Sequence, residues 1–326
     1  MDILVYEHIL GEEYSENSPS LLLNEAKLIV KCLIKDFAEL YPNSKISLLA
    51  NKKNNFFFND IDFISRDYDL NSVDDMKMHY QNYDKILVLA PEENMEMYNI
   101  VDNLEEKGVC LINCSSEFIK ITTCKKNTYN SIKSCHDNLI NIYHDYKEID
   151  SNKKIVAKIS DGLGSENLYI FENRKDLEES DKIITNKHFF QDYKNGKIIS
   201  INIVSNEKKF IIISINEQVY KHKSPHEISL EEVFIGKYNH MIIEFKLFVD
   251  KIMSNFSGYH GFFGIDAILD ENNNIFLLEI NPRLTSSYIG LNTSLGFSPI
   301  QFLNNINYNF NISNNEIFLK KIKNEK

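Results

Sequence analysis

Two short apolar runs carry the residues best suited to chemistry. Residues 263–267 include Asp266, and residues 277–283 include Glu279, Asn281 and Arg283. Between them lies a turn-forming stretch, 270–274, rich in Asp and Asn, so the runs are expected to pair as an antiparallel hairpin. That pairing brings Asp266 and Glu279 close on one face, and Asn281, two residues past Glu279, shares the face of its strand. A charge in apolar sequence needs a counter-charge or a metal ion. Hard divalent cations take oxygen ligands, commonly one or two carboxylates with phosphate oxygens. Arg283 offers a planar fork suited to a transferring phosphoryl group. Either carboxylate alone reads as an ordinary strand-end group. Asp, Glu, Asn and Arg in this pattern read as a site.

A second constellation precedes the first. Lys158 nears the end of an apolar run at 155–159 and is followed by Ser160-Asp161-Gly162-Leu163-Gly164-Ser165. Glycines let backbone N–H groups approach phosphate oxygens in an anion-binding nest, and Lys158 adds a point charge. No Gly-Lys-Ser/Thr follows, so this is not a Walker A loop. A strand is expected next rather than a helix, so it is not a dinucleotide fingerprint either. By itself the turn reads as a hairpin reversal; with the downstream carboxylates it reads as a phosphate loop. Cys110, Cys114, Cys124, Cys135 and His136 match no paired zinc spacing and read as core or loop residues. Glu7 and the loop reaching to residue 18 follow the first apolar run, where open parallel sheets place ligands. An ordinary connection fits that loop equally well.

The elements that must hold these groups are legible in outline. Short apolar runs at 3–6, 46–50, 61–64, 86–90 and 109–112 read as buried parallel strands. Helical spacing at 21–40 and 92–107 supplies crossovers, which predicts a parallel sheet covered by helices. From residue 115 the pattern changes. A helix is expected over 118–139, a hairpin from 155–159 and 167–171, and a helix over 174–182. Strands are expected at 188–193, 197–204, 210–215 and 218–220, with Asn195-Gly196 as a tight turn. Helices at 237–254 and 299–305 flank the carboxylate hairpin, and the tail after 311 is expected to be loosely held.

Composition narrows the function classes. The 326 residues have 47 acidic and 36 basic side chains, a formal charge of -11. This length predicts two or three lobes. No basic stripe suits nucleic acid, and no apolar run approaches the ~20 residues that span a bilayer. The start lacks a basic region ahead of an apolar one, and five cysteines fit reduced thiols, so a cytoplasmic chain is expected. An acidic protein that binds a polyphosphate must gather positive charge, or metal ions, at one place.

Taken together, Lys158 with its glycine turn, Asp266, and Glu279-Ile280-Asn281-Pro282-Arg283 resemble the ATP-grasp superfamily over residues 115–305. The resemblance implies an α/β and α+β fold. An N-terminal parallel-sheet domain (1–114) precedes a small ATP-grasp lobe (115–190) and a C-terminal lobe with the metal site (191–326). It implies Asp266, Glu279 and Asn281 as ligands of two Mg²⁺ or Mn²⁺ ions, and Arg283 and Lys158 as catalytic groups. Lys126, Lys158, Gly162, Gly164 and Ser165 are implied to hold ATP, with Gln191, Asp192 and Tyr193 as the adenine linker. Asn216-Glu217-Gln218 resembles a segment near the acceptor. Ile159, Lys125 and Asp192 depart from the family's usual proline, aspartate and glutamate. Within the superfamily the layout is similar to small archaeal-type amide ligases. That implies an ADP-forming ligase with a small-molecule acid and amine, L-glutamate through its γ-carboxylate and tyramine, as in methanofuran synthesis. A lysine–methylornithine type of ligation or a non-catalytic ATP-binding module is the alternative. The resemblance also admits a homodimer.

Overall fold

The computed structural model describes residues 1–11, 20–49, 58, 64–67, 80–134, 138–159, 168–180, 188–206, 209–304 and 316–320. Among these residues, three sheets lie within 3–89, 142–192 and 197–320. The first is built from β1 (Ile3–Glu7), β2 (Ile46–Leu49), β3 (Ile64–Asp67) and β4 (Lys85–Leu89), ordered β3-β2-β1-β4 and parallel throughout. Every residue of β1 is buried, as a strand covered on both faces requires. A short helix α1 (His8–Gly11) follows β1, and α2 (Ser20–Leu40) is the long crossover. The expected run at 61–64 becomes a strand beginning at Ile64; residues 61–63 lie outside the described set.

The run at 109–112 does not form the expected strand. It makes a single parallel bridge, Ile86 with Leu111. The Asn113 side chain then takes the place of the backbone: Val88 N donates to its Oδ1 at 2.9 Å, and its Nδ2 donates to Val88 O at 2.7 Å. The crossover helix α3 (Glu96–Glu106) starts later than residue 92, because Asn94 and Met95 carry positive φ. The helix expected over 118–139 is two helices, α4 (Ser116–Thr123) and α5 (Lys125–Ile132), broken at Cys124, whose ψ of 109° is extended. Ser115 caps α4 by accepting from Phe118 N at 3.2 Å. This break sets the direction of Lys125.

The second sheet is antiparallel and ordered β5-β8-β6-β7, from β5 (Ile142–Tyr143), β6 (Ile155–Ile159), β7 (Tyr169–Phe171) and β8 (His188–Asp192), with α6 (Arg174–Glu179) beside it. It has a small core of its own, around Ile155, Phe171 and Phe190. The third sheet has six strands ordered β13-β12-β9-β10-β11-β14. They are β9 (Lys197–Asn206), β10 (Lys209–His222), β11 (Ile228–Ile235), β12 (Gly261–Leu269), β13 (Ile275–Asn281) and β14 (Ile317–Lys320), with helices α7 (Ile242–Met253), α8 (Tyr288–Leu295) and α9 (Gln301–Asn304). The two strands expected at 210–215 and 218–220 are one continuous β10. Part of the tail expected to be loose instead forms β14, pairing Ile317 with Ile235.

Buried residues of the first and third sheets share the same hydrophobic clusters. Leu4, Tyr6 and Val88 pack in one with Ile199, Ile201 and Ile280; Ile3 and Val5 belong to another with Ile213 and Ile235. The parallel sheet is thus fixed to the sheet that carries the carboxylate hairpin. No helix among the described residues is long and apolar enough to cross a membrane.

Candidate active site

β12 and β13 pair antiparallel with Asp266 opposite Glu279 and Gly264 opposite Asn281, and the register shifts by a bulge just after Asp266. The hairpin expected from the turn residues is therefore present, with the carboxylates face to face. Asn281 Nδ2 donates to Asp266 Oδ2 at 3.1 Å, leaving the amide oxygen for another partner. A Cβ on Gly264 would lie 2.8 Å from Thr285 Cγ2. Glycine there lets the segment after Arg283 lie against β12. Asn202 on β9 anchors that segment: its Oδ1 accepts from Thr285 Oγ1 at 2.9 Å and from Ser287 Oγ at 3.0 Å.

The principal positive charge facing the pair is Lys125, whose Nζ lies 2.9 Å from Glu279 Oε2. Burial raises Asp266 well above the ordinary carboxylate range, and the Glu279 charge raises it further. Burial would raise Glu279 too, but Lys125 and Lys158 outweigh it and hold that carboxyl below its ordinary value. Asp266 is therefore the harder of the two to ionise and Glu279 the easier. Among the described residues no three His, Cys, Asp or Glu side chains are placed to hold a metal ion together. A cation here would use two carboxylates, the Asn281 oxygen and oxygens of its own ligand. That donor set fits a hard divalent ion bound with a polyphosphate.

Lys158 sits on β6 opposite Phe189 of β8. Its Nζ lies 5.6 Å from the centre of the Phe189 ring, and that of Lys126 lies 5.9 Å from the same ring. Both lysines named from sequence thus lie beside one ring. Burial pushes Lys158 down to about 8, against the Glu279 charge. Lys126 also reaches His144 Nδ1 at 3.4 Å. Gly162, Gly164 and Ser165 lie outside the described residues. Gln191 is buried in β8 between Ile142 and Val156. Asp192 Oδ2 accepts from Asn141 Nδ2 at 3.1 Å and Tyr143 OH at 3.2 Å. Tyr193 donates its N–H to Lys154 O at 3.2 Å, so that N–H is not open to adenine.

Arg283 pairs with a residue just past β4, its Nη2 lying 2.9 Å from Glu92 Oε2. A cavity of about 700 Å³ runs from Asp266, Glu279 and Asn281 past Arg283 to Glu7, Glu25 and Glu92. Tyr220 borders it; burial, then the Asp266 and Glu279 charges, raises its hydroxyl, which stays protonated. Of Asn216, Glu217 and Gln218, only Gln218 borders the cavity. Asn216 instead holds Ser200 and the Gly236 N–H, and Glu217 pairs with Lys197 and Lys237. Sequence reasoning saw Lys125 only as a departure from a pattern, and it missed Glu25, Glu92 and Asn202. The consecutive Lys125-Lys126 pair was the one available signal, and it could not tell which lysine turns inward.

The family profile described as ATP-grasp domain matches residues 123–287. The tyramine–L-glutamate ligase of Methanocaldococcus jannaschii is 27% identical, over 99% of this chain and 93% of its own. An ATP-grasp superfamily protein from Archaeoglobus fulgidus superposes with a TM-score of 0.73 at 16% identity, covering 93% of this chain and 88% of that one. The biotin carboxylase domain of a Hydrogenobacter thermophilus 2-oxoglutarate carboxylase, solved as a dimer with MgADP and bicarbonate, gives 0.68 at 14% identity, covering 96% and 71%.

Proposed function

The chain belongs to the ATP-grasp family, and we propose that, as an ATP-dependent carboxylate–amine ligase, it joins the γ-carboxylate of L-glutamate to tyramine. The observation that carries this is the single cavity joining the Asp266–Glu279 pair, Arg283 and the ends of the parallel sheet. Near-full-length similarity to a ligase of that name supports the choice of substrates.

In this reading the glutamate carboxylate attacks the γ-phosphorus of ATP, ADP leaves, and an acyl phosphate forms. The amine then attacks the acyl carbon, loses a proton and expels phosphate. Residues 1–114 supply substrate contacts, 115–190 the nucleotide-binding lobe and 191–326 the metal-binding lobe. Lys126 and Lys158 hold phosphate charge beside Phe189, with Gly162, Gly164 and Ser165 as further phosphate-binding residues and Gln191, Asp192 and Tyr193 bordering the base. Asp266, Glu279 and Asn281 would hold Mg²⁺ or Mn²⁺, probed as two ions, which neutralises phosphate charge. Lys125, which pairs with Glu279, would have to release that oxygen for it to serve as a ligand. Arg283 is placed to meet charge on the transferred phosphoryl group. The test is ADP release from purified protein that requires both glutamate and tyramine, with product mass. An amide product supports the reading. A phosphorylated acid as final product, or ADP release indifferent to the amine, refutes it.

A further inference from the structure

Both carboxylates of the β12–β13 pair have a donor from this chain. Asp266 Oδ2 accepts from Asn281 Nδ2 at 3.1 Å, and Lys125 Nζ lies 2.9 Å from Glu279 Oε2. The two contacts differ in kind. The first joins two residues of one hairpin. The second comes from a helix outside the sheet: Lys125 opens α5, and α4 and α5 both pack on β13. The side chain of Lys125 is only 11% exposed, and it borders the same cavity as Asp266, Glu279 and Asn281. The ammonium is therefore held over the carboxylate pair by the packing of the helices on the strand.

A divalent ion held by Asp266, Glu279 and Asn281 needs the oxygens of both carboxylates. Lys125 holds one of them, so the ion and the ammonium compete for Glu279. The two positive charges also repel, and burial makes that repulsion stronger than it would be in water. Binding through the other oxygen of Glu279 does not remove this cost. Lys125 has other acceptors within reach. Glu92 and Asp266 both act on it electrostatically. A polyphosphate held by Lys158 would add more, since Lys158 is itself within electrostatic reach of Lys125 and of Glu279. A lysine ammonium is a compact charge on a flexible stem, so it can pass from one acceptor to the next without moving the helix.

We propose that Lys125 is a tethered counter-ion that couples polyphosphate binding to divalent-ion binding. Its ammonium competes with the ion for Glu279, and phosphate oxygens free Glu279 by accepting that ammonium. Lys125 acts through Glu279 and is a positioning residue. The proposal rests on Asp266, Glu279 and Asn281 as metal ligands and not on the identity of the acid or the amine. Mn²⁺ binding to the whole chain is read from the electron paramagnetic resonance of the free ion. It is measured with and without a non-hydrolysable ATP analogue, against a blank of ion and analogue alone. The proteins are wild type, Lys125→Met and Lys158→Met; the last removes a charge that acts on Glu279 less strongly than Lys125 does. Thermal melts confirm folding, and Lys125→Gln serves if Lys125→Met does not fold. Without the analogue, Lys125→Met should bind Mn²⁺ about ten-fold or more tightly than wild type, a typical size for coupling between sites. Lys158→Met should gain much less. With the analogue the gap between Lys125→Met and wild type should close or reverse. The rise in Tm on adding Mn²⁺ should follow the same order. Lys125→Met that binds Mn²⁺ alone no more tightly than wild type or Lys158→Met overturns the proposal, as does a gap unchanged by the analogue. If no chain binds Mn²⁺ even with the analogue, the metal ligands and the proposal fall together. Missing amide synthesis with the expected affinities sinks the ligation reading and leaves the role of Lys125 standing.

Discussion

Replacing Glu279 by Gln separates the chemistry of the carboxylate pair from its role in the fold. Lys125 Nζ and Glu279 Oε2 are 2.9 Å apart, with side chains 11% and 20% exposed. At an effective dielectric of about 20, that separation gives a gross attraction of about 6 kcal/mol. Most of it offsets desolvation. Removing one partner of a mostly buried pair leaves the other charge stranded, at a net cost of about 3 kcal/mol. Glu279→Gln should therefore fold, with Tm lowered by about 3–6 °C, and lose turnover by about a hundred-fold or more. Adding Lys125→Met removes the stranded ammonium, so the double variant should regain much of the stability and none of the activity. Melts and ADP release on both variants decide it. Wild-type turnover in Glu279→Gln would refute the placing of chemistry on this pair. A double variant no more stable than the single would refute the electrostatic account of Lys125.

Lys158→Ala should raise the KM for ATP about ten-fold or more while the melt changes little, and an unchanged KM would remove Lys158 from the nucleotide site. Burial has lowered Lys158 from its ordinary 10.5 to about 8. Phosphate oxygens restore its charge, so ATP binding should take up a proton and weaken as pH rises from about 8 toward 10.5. Calorimetry in buffers of different ionisation enthalpy reads that uptake. Glu7 rises on folding from 4.5 to about 8, so its contribution to stability is present below 4.5 and is lost as pH rises through 8. Glu7→Gln removes this loss and should gain on wild type between pH 5 and pH 8.5, by at most about 4 kcal/mol; a constant difference in Tm across that range contradicts it. Asn202→Ala leaves Thr285 and Ser287 without their shared acceptor and should cost about 1–3 kcal/mol. It should also lower kcat as the segment after Arg283 loosens; a Tm equal to wild type would show that the network is dispensable.

The sequence by itself determined the parts that depend on neighbours along the chain. Apolar runs broken by Asp and Asn set the β12–β13 hairpin, and the period of two in a strand put Glu279 and Asn281 on one face. The β6–β7 hairpin was legible for the same reason. Where local signals conflict with long-range pairing, only the tertiary structure decided. The apolar run at 109–112 lost its strand because Asn113 takes both backbone groups of Val88. β14 formed because β11 offered an edge that no local pattern reveals. Lys125 and Lys126 are adjacent and chemically alike, but successive helix positions point in different directions, and the packing of the helix puts one at Glu279 and the other beside Phe189. Glu92 and Arg283 are 191 residues apart in sequence. Their meeting follows from the hydrophobic clusters that join the first sheet to the third, which no spacing along the chain records.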